Sequence, residues 1–253
     1  MAHYQIILAY DGTDFQGFQR QGKTRTVQLV VETALRQLNW QGQTILAAGR
    51  TDTGVHAAGQ VIAFDLEWSH SEDELGRALN ASLPDDVAVK YVRVAADDFH
   101  PRYDAISRTY QYAIYYQSER DPLRERYAWR VWPEASLELL RCAAGILPGV
   151  HNFAAFGTPQ RRGGSTIREV KRASWQEHPQ MLVFEITANA YLYHMVRRLA
   201  YVQVQVGQGR ISLEELEKGI NEAIELPPGL APPQGLVLAR IDYRNERQEW
   251  LLH

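Results

Sequence analysis

The chain has 253 residues, 45% hydrophobic and 23% charged, a composition typical of a globular protein with a sizeable core. Its formal net charge of −3 excludes a uniformly basic nucleic-acid binder. No apolar run reaches the roughly 20 residues that cross a bilayer, and the N-terminus lacks the pattern of a signal peptide. Because Cys142 is the only cysteine, no internal disulfide can form, and we expect a cytoplasmic protein.

The first hundred residues follow the order strand, helix, strand, strand, helix, strand. Short apolar runs predict the strands at 4–10, 44–48, 60–66 and 87–94. Thr26 can cap the first helix, and Ser71 with Glu74 forms a capping box for the second. This order is that of a ferredoxin-like fold, in which helices cover one face of an antiparallel sheet.

The second part of the chain repeats this order without repeating the sequence. Strands are predicted at 106–116, 166–176, 181–188 and 236–243, with a hairpin turn at 177–180. Helices are expected to begin at Ser136, Tyr191 and Ser212. We therefore predict two α+β halves, 1–100 and 101–253, both ferredoxin-like (RRM-like), whose antiparallel sheets join around a basic cleft.

Charged residues are unevenly distributed along the chain. Acidic residues cluster between Asp65 and Asp86 and again between Glu214 and Glu225. Basic residues gather in two other groups: Arg102, Arg108, Arg120, Arg124, Arg126 and Arg130, then Arg161, Arg162, Arg168, Lys171 and Arg172. This separation favours a protein with one basic face, although an ordinary mixed surface would also show it.

The loop between the second and third predicted strands contains the most unusual group of polar residues, GRTDTGVHAAGQV from position 49 to 61. Its glycines, Gly49, Gly54 and Gly59, suit a shaped loop that another molecule approaches closely. A neighbouring guanidinium and two hydroxyls favour the charged form of a carboxylate, so Asp52 is expected to be ionised. Taken alone, Asp52-Thr53-Gly54 would fit an ordinary turn equally well.

Several familiar catalytic patterns are missing from the sequence. The histidines show no metal-ligand spacing, and a single cysteine cannot build a zinc site. P-loop, dinucleotide and G-x-S-x-G motifs are also missing. Asp-Thr-Gly occurs in aspartic proteases, but these need two carboxylates that share a proton, and the loop occurs once here. We therefore expect chemistry that needs no metal and no cofactor.

The loop and several other segments together resemble the tRNA pseudouridine synthase A family. The stretch GRTDTGVHAAGQV is similar to the family's signature. Further similar blocks follow in the same order, at 10–21 (YDGTDFQGFQRQ), 26–28 (TVQ), 99–103 (FHPRY), 108–112 (RTYQY), 151–156 (HNFAAF), 193–197 (YHMVR) and 231–238 (APPQGLVL). The resemblance covers nearly the whole chain.

This resemblance implies that the protein isomerises uridine to pseudouridine at neighbouring positions on the 3′ side of the anticodon stem-loop of tRNA. It also implies a homodimer that needs no cofactor, with Asp52 as the nucleophile that attacks the ribose C1′ or the base C6. Breaking an N-glycosidic bond without hydrolysis requires such a nucleophile and the exclusion of water. A non-catalytic RNA-binding protein with the same sheet is the alternative, although RNP-type aromatic motifs are missing.

The resemblance also implies roles for other side chains, each of which could instead be structural. Arg50 would fill the space left by the extruded base, Tyr110 would stack on the flipped uracil, and Arg197 would pair with Asp52. The remaining candidates for substrate binding are Phe99, Arg102, Arg161 and Arg162, the arginines as phosphate contacts. His56 is expected to brace the loop as a hydrogen-bond donor rather than to take part in catalysis.

Two positions depart from the family pattern. Phe18 stands where the family usually has Trp, which keeps an aromatic side chain. Tyr201 lies in a segment that is usually small and contains glycine, and we expect it to push its helix away from the neighbouring element.

Overall fold

The computed structural model describes residues 1–22 and 24–244. The helices and strands in chain order are β1 (Ala2–Tyr10), α1 (Val27–Gln37), β2 (Leu46–Ala47), β3 (His56–Leu66), α2 (Glu72–Ser82), β4 (Val87–Val94), β5 (Ala105–Tyr116), β6 (Trp129–Val131), α3 (Leu137–Gly145), β7 (Gly149–Asn152), β8 (Ile167–His178), β9 (Met181–Ala188), α4 (Met195–Gly207), α5 (Leu213–Asn221) and β10 (Leu236–Tyr243). The fold is α+β with mostly antiparallel strand pairs, as predicted.

The chain divides into two compact units, Met1–Ile106 with the stretch from Leu238 onward, and Ser107–Val237. The sequence placed that C-terminal stretch in the second half. In the sheet, β10 lies beside β3. The predicted domain boundary at residue 100, the joined sheets and the basic cleft stay predictions.

The first unit has the predicted ferredoxin-like order. Its sheet runs β4-β1-β3, and the two-residue β2 also pairs with β3. The Thr26 hydroxyl accepts a hydrogen bond from the Leu29 amide and caps α1, and Ser71 forms the expected capping box with Glu74 at α2. These caps confirm the predicted helix starts.

Two strands of the first unit differ from their predicted bounds. The strand predicted at 44–48 is reduced to Leu46–Ala47. The following strand begins at His56 rather than at residue 60, because Ala57 already pairs with Tyr10 of β1. The loop between them is therefore shorter than expected, and it enters β3 immediately after Val55.

The second unit has the sheet order β5-β9-β8-β7, with β6 parallel to β5. The predicted hairpin is present, but β8 extends to His178, so the turn is shorter than expected. Trp175 of β8 stacks on Phe184 of β9 and donates a hydrogen bond to Gln203 of α4. No helix in the described ranges is long and apolar enough to cross a membrane.

The helix predicted from Tyr191 begins four residues later, at Met195. The preceding His194 has a φ of 66°, a left-handed conformation that cannot lie inside a right-handed helix. The Tyr193 backbone instead bonds to Thr158, with its amide 2.9 Å from the Thr158 carbonyl oxygen. Tertiary pairing of this segment therefore overrides the helical pattern.

Tyr201 of α4 is accommodated by a glycine. Its ring stacks on Trp129 at 6.3 Å and lies against Gly229, where a Cβ would come within 2.1 Å of the ring. Gly229 thus leaves the space that the large side chain requires. The predicted displacement of α4 by Tyr201 stays a prediction.

Candidate active site

The loop that contains Asp52 joins β2 to β3 in the first unit. Its Val55 amide donates to the Asp52 carbonyl oxygen at 3.1 Å, and Gly54 has a left-handed φ of 76°. Asp52 is half-buried, Thr51 is buried, and Arg50 is exposed. Asp52-Thr53-Gly54 therefore forms a turn, the structure that these residues alone would also fit. The loop contains both a guanidinium and a carboxylate.

Residues 15–20 are hydrogen-bonded to this loop, and we call them the supporting segment. The Phe18 amide donates to the Thr51 carbonyl oxygen at 3.1 Å, and the Gly54 amide donates to the Phe15 carbonyl oxygen at 3.3 Å. A Cβ at Gly17 would lie 2.9 Å from the Thr51 carbonyl oxygen. The backbone on both sides of Asp52 is thus fixed by the supporting segment.

Side chains from two strands hold the loop as well. The hydroxyls of Tyr10 and Thr51 are 2.8 Å apart, and Gln60 donates to the Gly49 carbonyl oxygen at 3.1 Å. Burial raises the pKa of Tyr10 to about 12, so its hydroxyl is neutral at physiological pH. These bonds connect the loop to the buried faces of β1 and β3.

His56 is buried at the start of the loop's exit strand. Its Nδ1 lies 2.9 Å from the Gly12 amide nitrogen and 3.1 Å from an Asp11 carboxylate oxygen. Gly12 is needed there because a Cβ would lie 2.0 Å from the Val55 carbonyl oxygen. The imidazole therefore contacts two residues of the opening block, and its bracing role stays a prediction.

Phe99 and Arg102 lie in the same unit with different surroundings. The Phe99 ring packs against Tyr243 at 5.2 Å and His3 at 6.4 Å, and its carbonyl oxygen is 3.0 Å from the His3 Nε2. Arg102 is exposed in the turn that follows. Contacts within the unit thus explain the position of the Phe99 ring, whereas the Arg102 side chain is exposed to solvent.

Tyr110 lies on β5 of the second unit, where Tyr191 holds its ring edge-on at 5.0 Å. The carbonyl oxygens of Ile186 and Arg108 share the single hydroxyl donor of Tyr191, at 2.9 and 3.0 Å. Burial raises the pKa of Tyr191 well above its usual value, so it stays a neutral donor. The half-buried Tyr110 therefore has a fixed aromatic neighbour.

The remaining arginines also belong to the second unit. Arg197, in the first turn of α4, donates from Nε to the Ala231 carbonyl oxygen at 2.8 Å. Arg161 and Arg162 are exposed in a tight turn closed by the Gly164 amide, 3.0 Å from the Arg161 carbonyl oxygen. The roles of these residues, including the pairing of Arg197 with Asp52, stay predictions.

Comparison with known proteins identifies the family. A family model described as tRNA pseudouridine synthase matches residues 6–104 and 143–244. This chain belongs to the tRNA pseudouridine synthase family. It is 36% identical over 247 residues to the tRNA pseudouridine synthase A of Methylacidiphilum infernorum, covering 97% of each chain. It is 38% identical over 249 residues to that of Dictyoglomus turgidum, covering 96% of this chain and 100% of the relative.

A weaker similarity to solved structures was also found. The crystal structure of a Cbf5-Nop10-Gar1 complex matches at 10% identity and a TM-score of 0.36, covering 79% of this chain and 45% of that chain. A similarity of this size supports no conclusion about the chain. Family membership therefore depends on the sequence matches alone.

The residues that support the Asp52 loop were not among the predicted site residues. Tyr10, Gly12 and Gly17 belong to the opening block at 10–21, and Gln60 follows the loop itself. The available signal was the occurrence of glycines beside polar residues in both segments.

Among the described residues, no group of His, Cys, Asp or Glu could hold a metal ion.

Proposed function

We propose that this chain isomerises uridine to pseudouridine in the anticodon stem-loop of tRNA, at neighbouring positions on its 3′ side. Asp52 is the nucleophile in this proposal. Family membership supports the reaction. The observation that carries the role of Asp52 is its place, half-buried on a turn whose backbone is bonded to the supporting segment on both sides. Such a fixed carboxylate is suited to attack one defined atom.

The reaction needs no second substrate, because uridine and pseudouridine have the same formula and only one proton is exchanged with solvent. In the C1′ route, an Asp52 oxygen attacks the ribose carbon and the bond to the base nitrogen breaks. The detached uracil turns, its C5 forms the new bond to C1′, and the carboxylate is released. The C5 proton then passes to solvent while N1 gains a proton, and water must be kept from C1′ throughout. Attack of Asp52 at the base carbon C6 is the alternative route.

Arg50 and Tyr110 would act on the target nucleotide before the chemical step. Extruding a base costs a few kcal/mol, and an exposed guanidinium beside the nucleophile can replace the lost stacking and contact phosphate. Tyr110 would stack on the extruded uracil, with Tyr191 limiting the movement of its ring. The family resemblance also implies that Arg197 pairs with Asp52.

Phosphate contacts would supply most of the affinity for tRNA. Arg102, Arg161 and Arg162 are exposed cations suited to such contacts, which position RNA without reading its sequence. Phe99 remains a candidate for substrate binding. We further propose a cytoplasmic homodimer, as the family resemblance implies.

The direct test measures tritium release from tRNA labelled at C5 of uridine, followed by mapping of pseudouridine. The wild-type protein should release tritium and modify the anticodon stem-loop, whereas Asp52→Asn should bind tRNA and release none. Asp73→Asn, an exposed carboxylate in the first turn of α2, is the matched control and should behave as wild type. A wild-type protein that binds tRNA without releasing tritium would favour the non-catalytic alternative.

A further inference from the structure

A buried carboxylate that plays no part in the proposed reaction lies on α1. The Glu32 side chain is 0% exposed, although carboxylates are rarely buried unless they are paired and hydrogen-bonded. It lies next to Val31 on the apolar side of an amphipathic helix, where an apolar residue would cost less. Its position therefore requires an explanation beyond core packing.

Glu32 is bonded to two segments distant in sequence from its own helix turn. One carboxylate oxygen accepts from Arg20 Nη1 at 2.6 Å, and Arg20 is the last residue of the supporting segment. The other oxygen accepts from the backbone amide of Ile45 at 3.3 Å, immediately before β2. One carboxylate thus connects the supporting segment to the chain that leads into the Asp52 loop.

Gln28, one turn earlier on α1, reinforces both connections. Its amide nitrogen donates to Glu32 at 2.8 Å and to the Thr44 hydroxyl at 2.8 Å. Its amide oxygen accepts from the Arg20 backbone amide at 3.0 Å. The two side chains therefore hold both segments together as one partly buried network.

The network is continuous with the backbone of the Asp52 loop. The Gln28 backbone amide donates to the Phe18 carbonyl oxygen at 2.9 Å, and the Phe18 amide donates to the Thr51 carbonyl oxygen at 3.1 Å. A displacement of the supporting segment would therefore be transmitted to the residue that precedes Asp52.

We propose that Glu32 is a positioning residue for Asp52, acting through Arg20 and the supporting segment. The inference depends on the proposed function, because it concerns the placement of the same nucleophile. The charge-assisted bond between Glu32 and Arg20 fixes one end of the supporting segment, and the Phe18 amide transmits this position to Thr51. Loss of the bond lowers the rate of the chemical step without changing the affinity for tRNA.

The test compares two arginines on the same carboxylate. Arg20 and Arg36 are 41% and 46% exposed, but Arg20 belongs to the supporting segment, whereas Arg36 lies on α1 itself, 3.7 Å from Glu32. Arg20→Ala should lower the single-turnover rate of pseudouridine formation at least tenfold with an unchanged Kd for tRNA. Added guanidinium should restore part of that rate, because the site is partly open to solvent. Arg36→Ala should change the rate less than twofold.

Glu32→Gln supplies a second variant, and hydrogen exchange supplies a readout that does not depend on activity. In Arg20→Ala and Glu32→Gln, the amides of Phe18 and Gly54 should exchange faster than in wild type, whereas in Arg36→Ala they should not. Equal rates for Arg20→Ala and wild type would overturn the inference, as would equal effects of the two arginine variants or a loss confined to tRNA affinity. An inactive wild type with the expected exchange pattern would instead contradict the proposed function.

Discussion

The Asp52 loop and the turn that contains Arg161 and Arg162 are both short and rich in glycine, but they are built differently. The Asp52 loop has its backbone bonded to a neighbouring segment and its Thr51 hydroxyl paired with a buried tyrosine. The arginine turn is exposed throughout residues 160–165 and closes on itself through the Gly164 amide. The first arrangement fixes a side chain in place, and the second displays charge.

This difference corresponds to what each proposed role requires. A nucleophile must lie within a fraction of an ångström of its productive position, which only a supported backbone can guarantee. A phosphate contact needs charge near the RNA and tolerates movement. Substitutions in the Asp52 loop should therefore change the chemical step, and substitutions in the arginine turn should change affinity.

The largest loss of stability is expected for Gly12→Ala. The added Cβ would lie 2.0 Å from the Val55 carbonyl oxygen, so the backbone must move. Overpacking of this kind should destabilise the protein by about 3 kcal/mol and lower the single-turnover rate at least tenfold. Thermal unfolding and tritium release measure the two effects.

Gly49→Ala is the matched control within the loop, since a Cβ there meets nothing within 4 Å and its φ is not left-handed. It should leave stability unchanged. A Gly12→Ala protein as stable and active as Gly49→Ala would show that the loop does not need its support.

Arg50→Ala should reduce the rate on bound tRNA by about a hundredfold, equivalent to roughly 2.7 kcal/mol, because the guanidinium offsets the cost of base extrusion. Single-turnover kinetics at saturating protein measure this rate. Arg77→Ala, an exposed arginine of α2, is the control and should have no effect. If the rate of Arg50→Ala equals that of wild type once all tRNA is bound, Arg50 contributes to tRNA affinity instead.

Replacing Arg161 and Arg162 together by Glu should weaken tRNA binding about tenfold at low salt. Each lost phosphate contact should reduce the slope of log K against log salt by about 0.7 to 0.9. Filter binding across a salt series measures both quantities. The rate on fully bound tRNA should stay unchanged, and a fall in that rate would contradict the division between the two regions.

The smallest effect is expected for Tyr10→Phe, which removes the partner of the Thr51 hydroxyl and should cost about 1 kcal/mol of stability at neutral pH. The pKa of Tyr10 is raised from 10.0 to about 12 in the folded protein, so the folded state binds more protons than the unfolded state between these values. Wild-type stability should therefore fall as pH rises from 10 to 12, by about 2 to 3 kcal/mol from this group.

Tyr10→Phe should lose less stability over the same range, because it lacks the titrating hydroxyl. Urea unfolding at a series of pH values makes the comparison. Parallel curves for the two proteins would show that Tyr10 is not buried in the folded state.

Local signals in the sequence predicted much of the fold. The capping residues Thr26, Ser71 and Ser212 mark helix starts that the structure confirms, because a cap depends only on residues within one turn. The predicted start of α4 was wrong because Tyr193 pairs with the distant Thr158, and the spacing of apolar residues does not reveal such a contact. The place of Tyr201 was likewise decided by Gly229, far along the chain.

The same distinction applies to the candidate site. Asp52 and Arg50 stand out because their segment contains unusual residues in a fixed order, so the sequence names them directly. Glu32 lies in an ordinary amphipathic helix, and its significance depends on Arg20 and Ile45, which the fold brings to it. The role of a side chain that acts through tertiary contacts is difficult to predict from the residues next to it in the sequence.

The most direct test of the central claim is the single-turnover conversion of uridine to pseudouridine by the Asp52→Asn protein at saturating concentration. The amide keeps the size of the side chain but removes its nucleophilic charge. The account predicts a stable variant that binds tRNA as tightly as wild type and forms no pseudouridine. Conversion by this variant at a rate near that of wild type would contradict it.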